Sequence, residues 1–164
     1  MRFELRTLAA LTALLSAGML ATAFAFQHLG GLDPCILCLY QRWPWVAALA
    51  LSAVAAIIAN RRAAAIVLLG LAALAMLIGA GIAGFHVGVE QLWWEGTSEC
   101  GGVVGKATTV EELKAQLLAT PVTRCDEVAW SLIGISMAGW NLIVSALGGV
   151  LLAWQVSAAL RSNP

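Results

Sequence analysis

This sequence has little charge. Only 11% of its 164 residues are Asp, Glu, Lys or Arg, nine of each sign, and the formal net charge is zero. No basic stripe is present, which excludes the electrostatic footprint of a nucleic-acid binder. No glycine-rich phosphate loop is present either, so nothing points to a nucleotide. Histidine is scarce, and Leu39 stands where a haem-attachment motif would need one after its cysteine pair. What replaces charge is apolar surface: 61% of the residues are hydrophobic and the mean hydropathy is +0.88. That exceeds what a soluble core of this size uses, so residues 1–164 are expected to form one integral membrane domain.

The few charges punctuate long apolar runs. Arg2 and Arg6 precede Leu8–Phe26, 19 residues without a charge, enough for roughly 28 Å of helix at ~1.5 Å per residue. A cleaved leader is the rival reading, because Ala21-Thr22-Ala23 and Ala23-Phe24-Ala25 resemble cleavage sites, but the run is long for a leader and Glu4 weakens the basic start. Trp43–Ala59 and Ala63–Phe85 are two further uncharged runs, and Asn60-Arg61-Arg62 leaves room only for a tight turn between antiparallel helices. Gly70, Gly79, Gly81 and Gly84 in the third run permit close helix contacts, or simply reflect lipid packing. Ala129–Leu160 is uncharged over 32 residues, longer than one span needs, so Ser131–Gly139 is expected to approach the membrane before a span from Trp140.

The fold expected is therefore an all-α membrane protein, a four-helix transmembrane bundle with spans at roughly 8–27, 43–59, 63–85 and 140–160 and loops at 28–42 and 86–139. Arg2, Arg6, Arg61, Arg62 and Arg161 fall at one end of the spans. The positive-inside bias makes that end cytoplasmic, with both termini inside and both long loops outside. Seven of the nine acids lie in Glu90–Glu127, against Lys106, Lys114 and Arg124, so this stretch is an aqueous loop. Within it Thr109-Val110-Glu111-Glu112 reads as a capping box, Val110, Leu113, Leu117 and Leu118 form a stripe, and Pro121 ends the pattern. A short amphipathic helix is expected, lying on the membrane or packed on the loop. Trp43, Trp45, Trp93, Trp94, Trp130 and Trp140 fall at the outer face; an interfacial belt accounts for most, and a ring-binding pocket for one or two.

Four cysteines carry the chemistry. Asp33 suits an N-cap and Pro34 the first helical position, which would set Cys35 and Cys38 in an opening helical turn where free N–H groups favour a thiolate. Arg42 lies four residues beyond Cys38, on the same face, where a guanidinium would stabilise an anion at that sulfur; a snorkelling arginine is the alternative. Tetrahedral zinc would need two more close ligands, and Cys100 and Cys125 form no second close pair. All four cysteines fall outside the cytoplasmic segments, which fits an oxidising compartment and redox use. Cys100 and Cys125 read either as a structural disulfide worth roughly 3 to 4 kcal/mol or as a second, accessible dithiol in series with the first. His28 and His86 read as interfacial histidines, and His86 is also a candidate cofactor-binding residue.

Cys35-Ile36-Leu37-Cys38-Leu39-Tyr40-Gln41-Arg42-Trp43, His86-Val87-Gly88-Val89-Glu90, Cys125-Asp126-Glu127 and Gly139-Trp140-Asn141 together resemble the bacterial DsbB family of disulfide bond formation proteins. The likeness covers nearly the whole chain; Trp93-Trp94-Glu95-Gly96 departs from better-known members. It implies an inner-membrane enzyme that reoxidises the periplasmic thioredoxin-fold oxidase DsbA and passes the electrons to a membrane quinone, ubiquinone or menaquinone. It also implies the roles: Cys100 and Cys125 exchange with DsbA, Cys100 forming the mixed disulfide, then reduce Cys35–Cys38, and Cys38 faces the quinone with Arg42 helping to bind it. The known potential of DsbA, about −120 mV, makes an acceptor beyond cysteine necessary, since an ordinary structural disulfide below ~−300 mV would face roughly 8 kcal/mol uphill. A paralogue serving a dedicated partner oxidase and a non-enzymatic bundle stapled by structural disulfides are the alternatives.

Overall fold

The computed structural model describes residues 4–101, 109–111 and 123–161. Four long helices follow the four apolar runs: α1 (Leu5–His28), α2 (Ile36–Ile57), α3 (Arg62–Glu90) and α4 (Met137–Arg161). α1, α3 and α4 are long and apolar enough to cross a membrane. α2 carries Tyr40, Gln41 and Arg42 in its first turns, which lowers its apolar character. α3 packs between α2 and α4, and α1 lies against α2. Small side chains line these contacts: Ala48, Ser52, Ala55, Ala65 and Ala72 are fully buried, so neighbouring backbones approach closely. A side chain at Gly79 would place its Cβ 3.1 Å from the ring of Pro44, where α3 crosses the one proline inside α2. Leu69 and Met76 fill the middle of the core, while Leu14, Ile57, Val67 and Leu147 point outward.

The helix ends differ from expectation in instructive ways. α2 starts at Ile36 and not at Pro34: its N-cap is Cys35, whose own sulfur accepts the Cys38 backbone N–H at 3.3 Å, so the thiol does what the Asp33 carboxylate was expected to do. α3 runs one turn beyond Phe85 and buries His86, which therefore belongs to the helix and not to the loop. It closes by a Schellman pattern, Trp93 N–H to Gly88 C=O and Leu92 N–H to Val89 C=O, with Leu92 at φ 57° where glycine is usual. Trp94 then folds back, its indole N–H donating to Phe85 C=O at 3.0 Å and its ring lying where any side chain at Gly88 would stand.

Ahead of α4 a small hairpin pairs Ser131–Leu132 with Ile135–Ser136 through Ile133 and Gly134, at φ 55° and 75°. Two positive φ values fit a type I′ turn. Ser136 accepts the Gly139 N–H at 3.0 Å, capping α4, and donates to Glu90 on α3 at 2.5 Å. The amphipathic helix expected over Thr109–Leu118 lies outside the described residues apart from 109–111. At the other end of the bundle Arg62 donates to Ala159 C=O at 2.8 Å, closing the α2–α3 turn against the end of α4.

Candidate active site

All four cysteines meet at the end of the bundle opposite Arg62. Cys35, Leu37, Val89, Cys100 and Cys125 form one buried cluster, with Ile36 and Cys38 packed on it. Cys100 and Cys125 are joined as a disulfide, whereas Cys35 and Cys38 are free thiols with their sulfurs 3.0 Å apart. The loop reaches α2 because Ser98–Gly101 forms a 3-10 turn beside it and Tyr40 donates its hydroxyl to Glu99 at 2.5 Å. Gly96 leaves room for Cys100, whose sulfur would lie 2.9 Å from any Cβ there. Cys100 is only 8% exposed, less open than its polar setting suggested, because the loop docks on the helices. It nevertheless lines a groove of about 550 Å³ with Trp93, Trp94, Thr97, Arg124 and Asp126, while Cys125 is wholly buried. At the groove's edge the Arg124 guanidinium grips Asp126 and holds its carboxyl below the usual carboxylate range.

Donors converge on Cys35. The Cys38 thiol lies 3.0 Å from its sulfur, the Cys38 backbone N–H 3.3 Å and His86 Nε2 3.6 Å. The Cys38 thiol contributes most; with His86 and the backbone N–H it outweighs burial and holds the Cys35 thiol well below its ordinary range. His86 is 3% exposed, and its other face meets Gln41 Nε2 at 2.8 Å from Nδ1. Gln41 also donates to Leu37 C=O at 3.2 Å and accepts from Asn141 at 2.5 Å. Asn141 in turn accepts from Trp45 at 2.8 Å and Ser145 at 3.2 Å. The sulfurs of Cys35 and Cys38 and a His86 nitrogen all lie within 4.8 Å of one another, a three-member donor set the sequence did not bring together.

Cys38, Arg42 and His86 line a second cavity of about 420 Å³, walled by all four helices. Trp45, Trp130 and Trp140 lie in its wall, so three of the outer-face tryptophans face a pocket. Arg42 does not turn back along its helix to Cys38 as its spacing suggested. Its guanidinium donates to Gln27 at 2.7 Å and lies 5.0 Å over the Phe24 ring, because the neighbouring α1 offers both partners. His28 stacks with Phe24 at 6.2 Å. Gln41 and Asn141 were not singled out from the sequence; the available signal was an amide inside an apolar helix.

Residues 5–155 match the family described as Disulfide bond formation protein DsbB. A protein of Nitrosococcus oceani named Disulfide bond formation protein B is 33% identical over 163 residues, covering 95% of this chain and 94% of that one. Its namesake in Methylococcus capsulatus is 40% identical over 145 residues, 84% of this chain and 85% of its own. No solved structure matches the chain. The cysteine cluster, the apolar helices around it and these likenesses lead to one conclusion: the chain belongs to the DsbB family of disulfide bond formation proteins.

Proposed function

We propose that this protein is a thiol oxidase of the bacterial inner membrane. It takes electrons from a periplasmic thioredoxin-fold oxidase of the DsbA type through Cys100 and Cys125, transfers them to Cys35 and Cys38, and releases them to a membrane quinone, ubiquinone or menaquinone. The observation that carries this reading is the packing of both cysteine pairs in one apolar cluster, beside a cavity that Cys38 lines. Residues 1–164 then form a single membrane domain with four spans, α2 included, both termini in the cytoplasm and the cysteines in the periplasm.

The exchange balances as follows. A partner thiolate attacks Cys100, the bond to Cys125 breaks, and the electron pair leaves on the Cys125 sulfur. The partner's second thiolate attacks the mixed disulfide, so the partner departs oxidised and the loop pair stays reduced. The same two-step exchange moves the electron pair from the loop thiols to a Cys35–Cys38 disulfide. The resulting dithiol regains its disulfide by losing two electrons and two protons. A quinone bound in the cavity supplies the two-electron acceptor. The lining fits such a ring: a volume of about 420 Å³ suits a substituted ring, the tryptophans offer flat apolar walls, and Arg42 offers a charged donor for a ring oxygen.

Purified protein mixed with reduced dithiol oxidase and a soluble quinone should reduce one quinone for each disulfide formed. Replacing Cys35 or Cys38 with Ser should allow one exchange with the partner and then a stall, read by gel shift of trapped thiols. Continued turnover in either variant would show that the loop pair reaches the acceptor unaided. Absence of quinone reduction by the unaltered protein would overturn the proposal.

A further inference from the structure

The buried amides joining α2, α3 and α4 form a chain whose direction is fixed at one end. The Trp45 indole nitrogen only donates, and Ser145 donates to the same atom, so Asn141 Oδ1 is an acceptor. Asn141 Nδ2 is then the atom facing Gln41 Oε1, at 2.5 Å. That leaves the Gln41 amino group for Leu37 C=O and for His86 Nδ1, at 3.2 and 2.8 Å. Nδ1 must accept, so the ring carries its proton on Nε2, the nitrogen that faces Cys35 Sγ. Turning Gln41 over would set its carbonyl against Leu37 C=O and its amino group against that of Asn141. With Gln41 5% exposed and His86 3%, little water can relieve either clash.

We propose that Gln41 and Asn141 are positioning residues that hold His86 as its Nε2–H tautomer, aiming that N–H at Cys35 so the ring serves the thiol pair as a hydrogen-bond donor. The inference rests on the reading of Cys35–Cys38 as a redox pair. It adds a reason for side-chain amides in the opening turns of α2 and α4. Gln41 and Trp45 are four residues apart on α2, as are His86 and Glu90 on α3 and Asn141 and Ser145 on α4, so each helix presents a pair of polar groups at the same level. A proton on Nε2 also removes the lone pair a metal ion would need there. The titratable groups facing Cys35 are Cys38 on α2 and His86 and Glu90 on α3, with the Cys100–Cys125 disulfide of the loop packed beside them. Donation from Nε2 holds the thiolate, the form that attacks or leaves in disulfide exchange.

The test uses the full chain with Cys100→Ser and Cys125→Ser, so that Cys35 and Cys38 are its only thiols, kept reduced without oxygen. Nitrogen-15 spectra of labelled histidine, assigned with a His28→Gln variant, report the tautomer without partner, quinone or turnover. His86 should show a pyridine-like Nδ1 and a pyrrole-like Nε2. Gln41→Met, unbranched and of similar length, should mix the tautomers and raise the midpoint of the Cys35 thiolate absorbance by about one to two pH units. Asn141→Leu, one hydrogen bond further from the ring, should shift both readouts the same way. A protonated Nδ1 in the parent protein, whether as the other tautomer or as imidazolium, overturns the inference. So does a Gln41→Met protein with parental spectra and titration, the result expected if Gln41 only fills space. Should Gln41→Met fail to fold, the parent spectrum decides alone. A correct tautomer in a protein that reduces no quinone would sink the proposed oxidase and not this positioning.

Discussion

The Arg42 guanidinium leaves its own helix to meet Gln27 and Phe24 on α1, and in doing so it stands in the wall of the cavity that Cys38 also lines. Its planar fork can keep the Gln27 bond and still offer a second N–H to an acceptor's oxygen. Lysine keeps the charge but not the fork. With one charge-assisted hydrogen bond worth roughly 1.5 to 3 kcal/mol, Arg42→Lys should raise the KM for quinone about ten-fold or more and leave exchange of Cys100–Cys125 with the partner near the wild-type rate. An arginine that merely snorkels predicts unchanged quinone kinetics, since lysine snorkels as well. At this scale the sequence singled out the two cysteine pairs and Arg42, and the structure brings the two pairs into one cluster. The sequence did not disclose where Arg42 points, because that depends on which helix lies alongside. Nor did it disclose Gln41 and Asn141, 100 residues apart, because no pattern within one helix tells which polar groups of other helices share its level.

Among elements, the C-terminal end of α3 carries the clearest strain. Leu92 holds a left-handed conformation at the position where Schellman closures favour glycine, and its side chain is 77% exposed. A left-handed backbone costs a branched residue roughly 1 to 2 kcal/mol, while glycine loses part of that gain to its greater freedom when unfolded. Leu92→Gly should therefore stabilise the protein by about 1 kcal/mol, read as a higher midpoint of thermal unfolding in detergent. A lower midpoint would mean that the exposed leucine packs in a way its surface hides. The four helices themselves were legible, since long uncharged runs broken by arginines have few other readings. Their starts were less so: a cysteine sulfur replaced the expected aspartate cap on α2, and the Ser131–Ser136 hairpin was concealed inside an uncharged run with Gly134 as its lone turn signal.

Over the whole molecule, the arginines that end the helices and the sulfurs are segregated. Arg6, Arg61, Arg62 and Arg161 lie toward one end of the helices and the four cysteines gather at the other. If the basic end faces the cytoplasm, a membrane-impermeant thiol reagent added to intact cells after mild reduction should label Cys100 or Cys125. Labelling that appears only once the membrane is permeabilised would reverse the orientation. The Gln41–Asn141 hydrogen bond also bears on how such a molecule is made. Helices are synthesised in order, and until α4 arrives the Gln41 carbonyl on α2 has no Asn141 to meet it. An unpaired amide costs several kcal/mol in a nonaqueous interior. On the proposed positioning, the arrival of α4 gives that carbonyl its partner and completes the orientation of the imidazole, so a nascent chain interrupted before residue 141 would hold its dithiol beside a ring free to exchange tautomers.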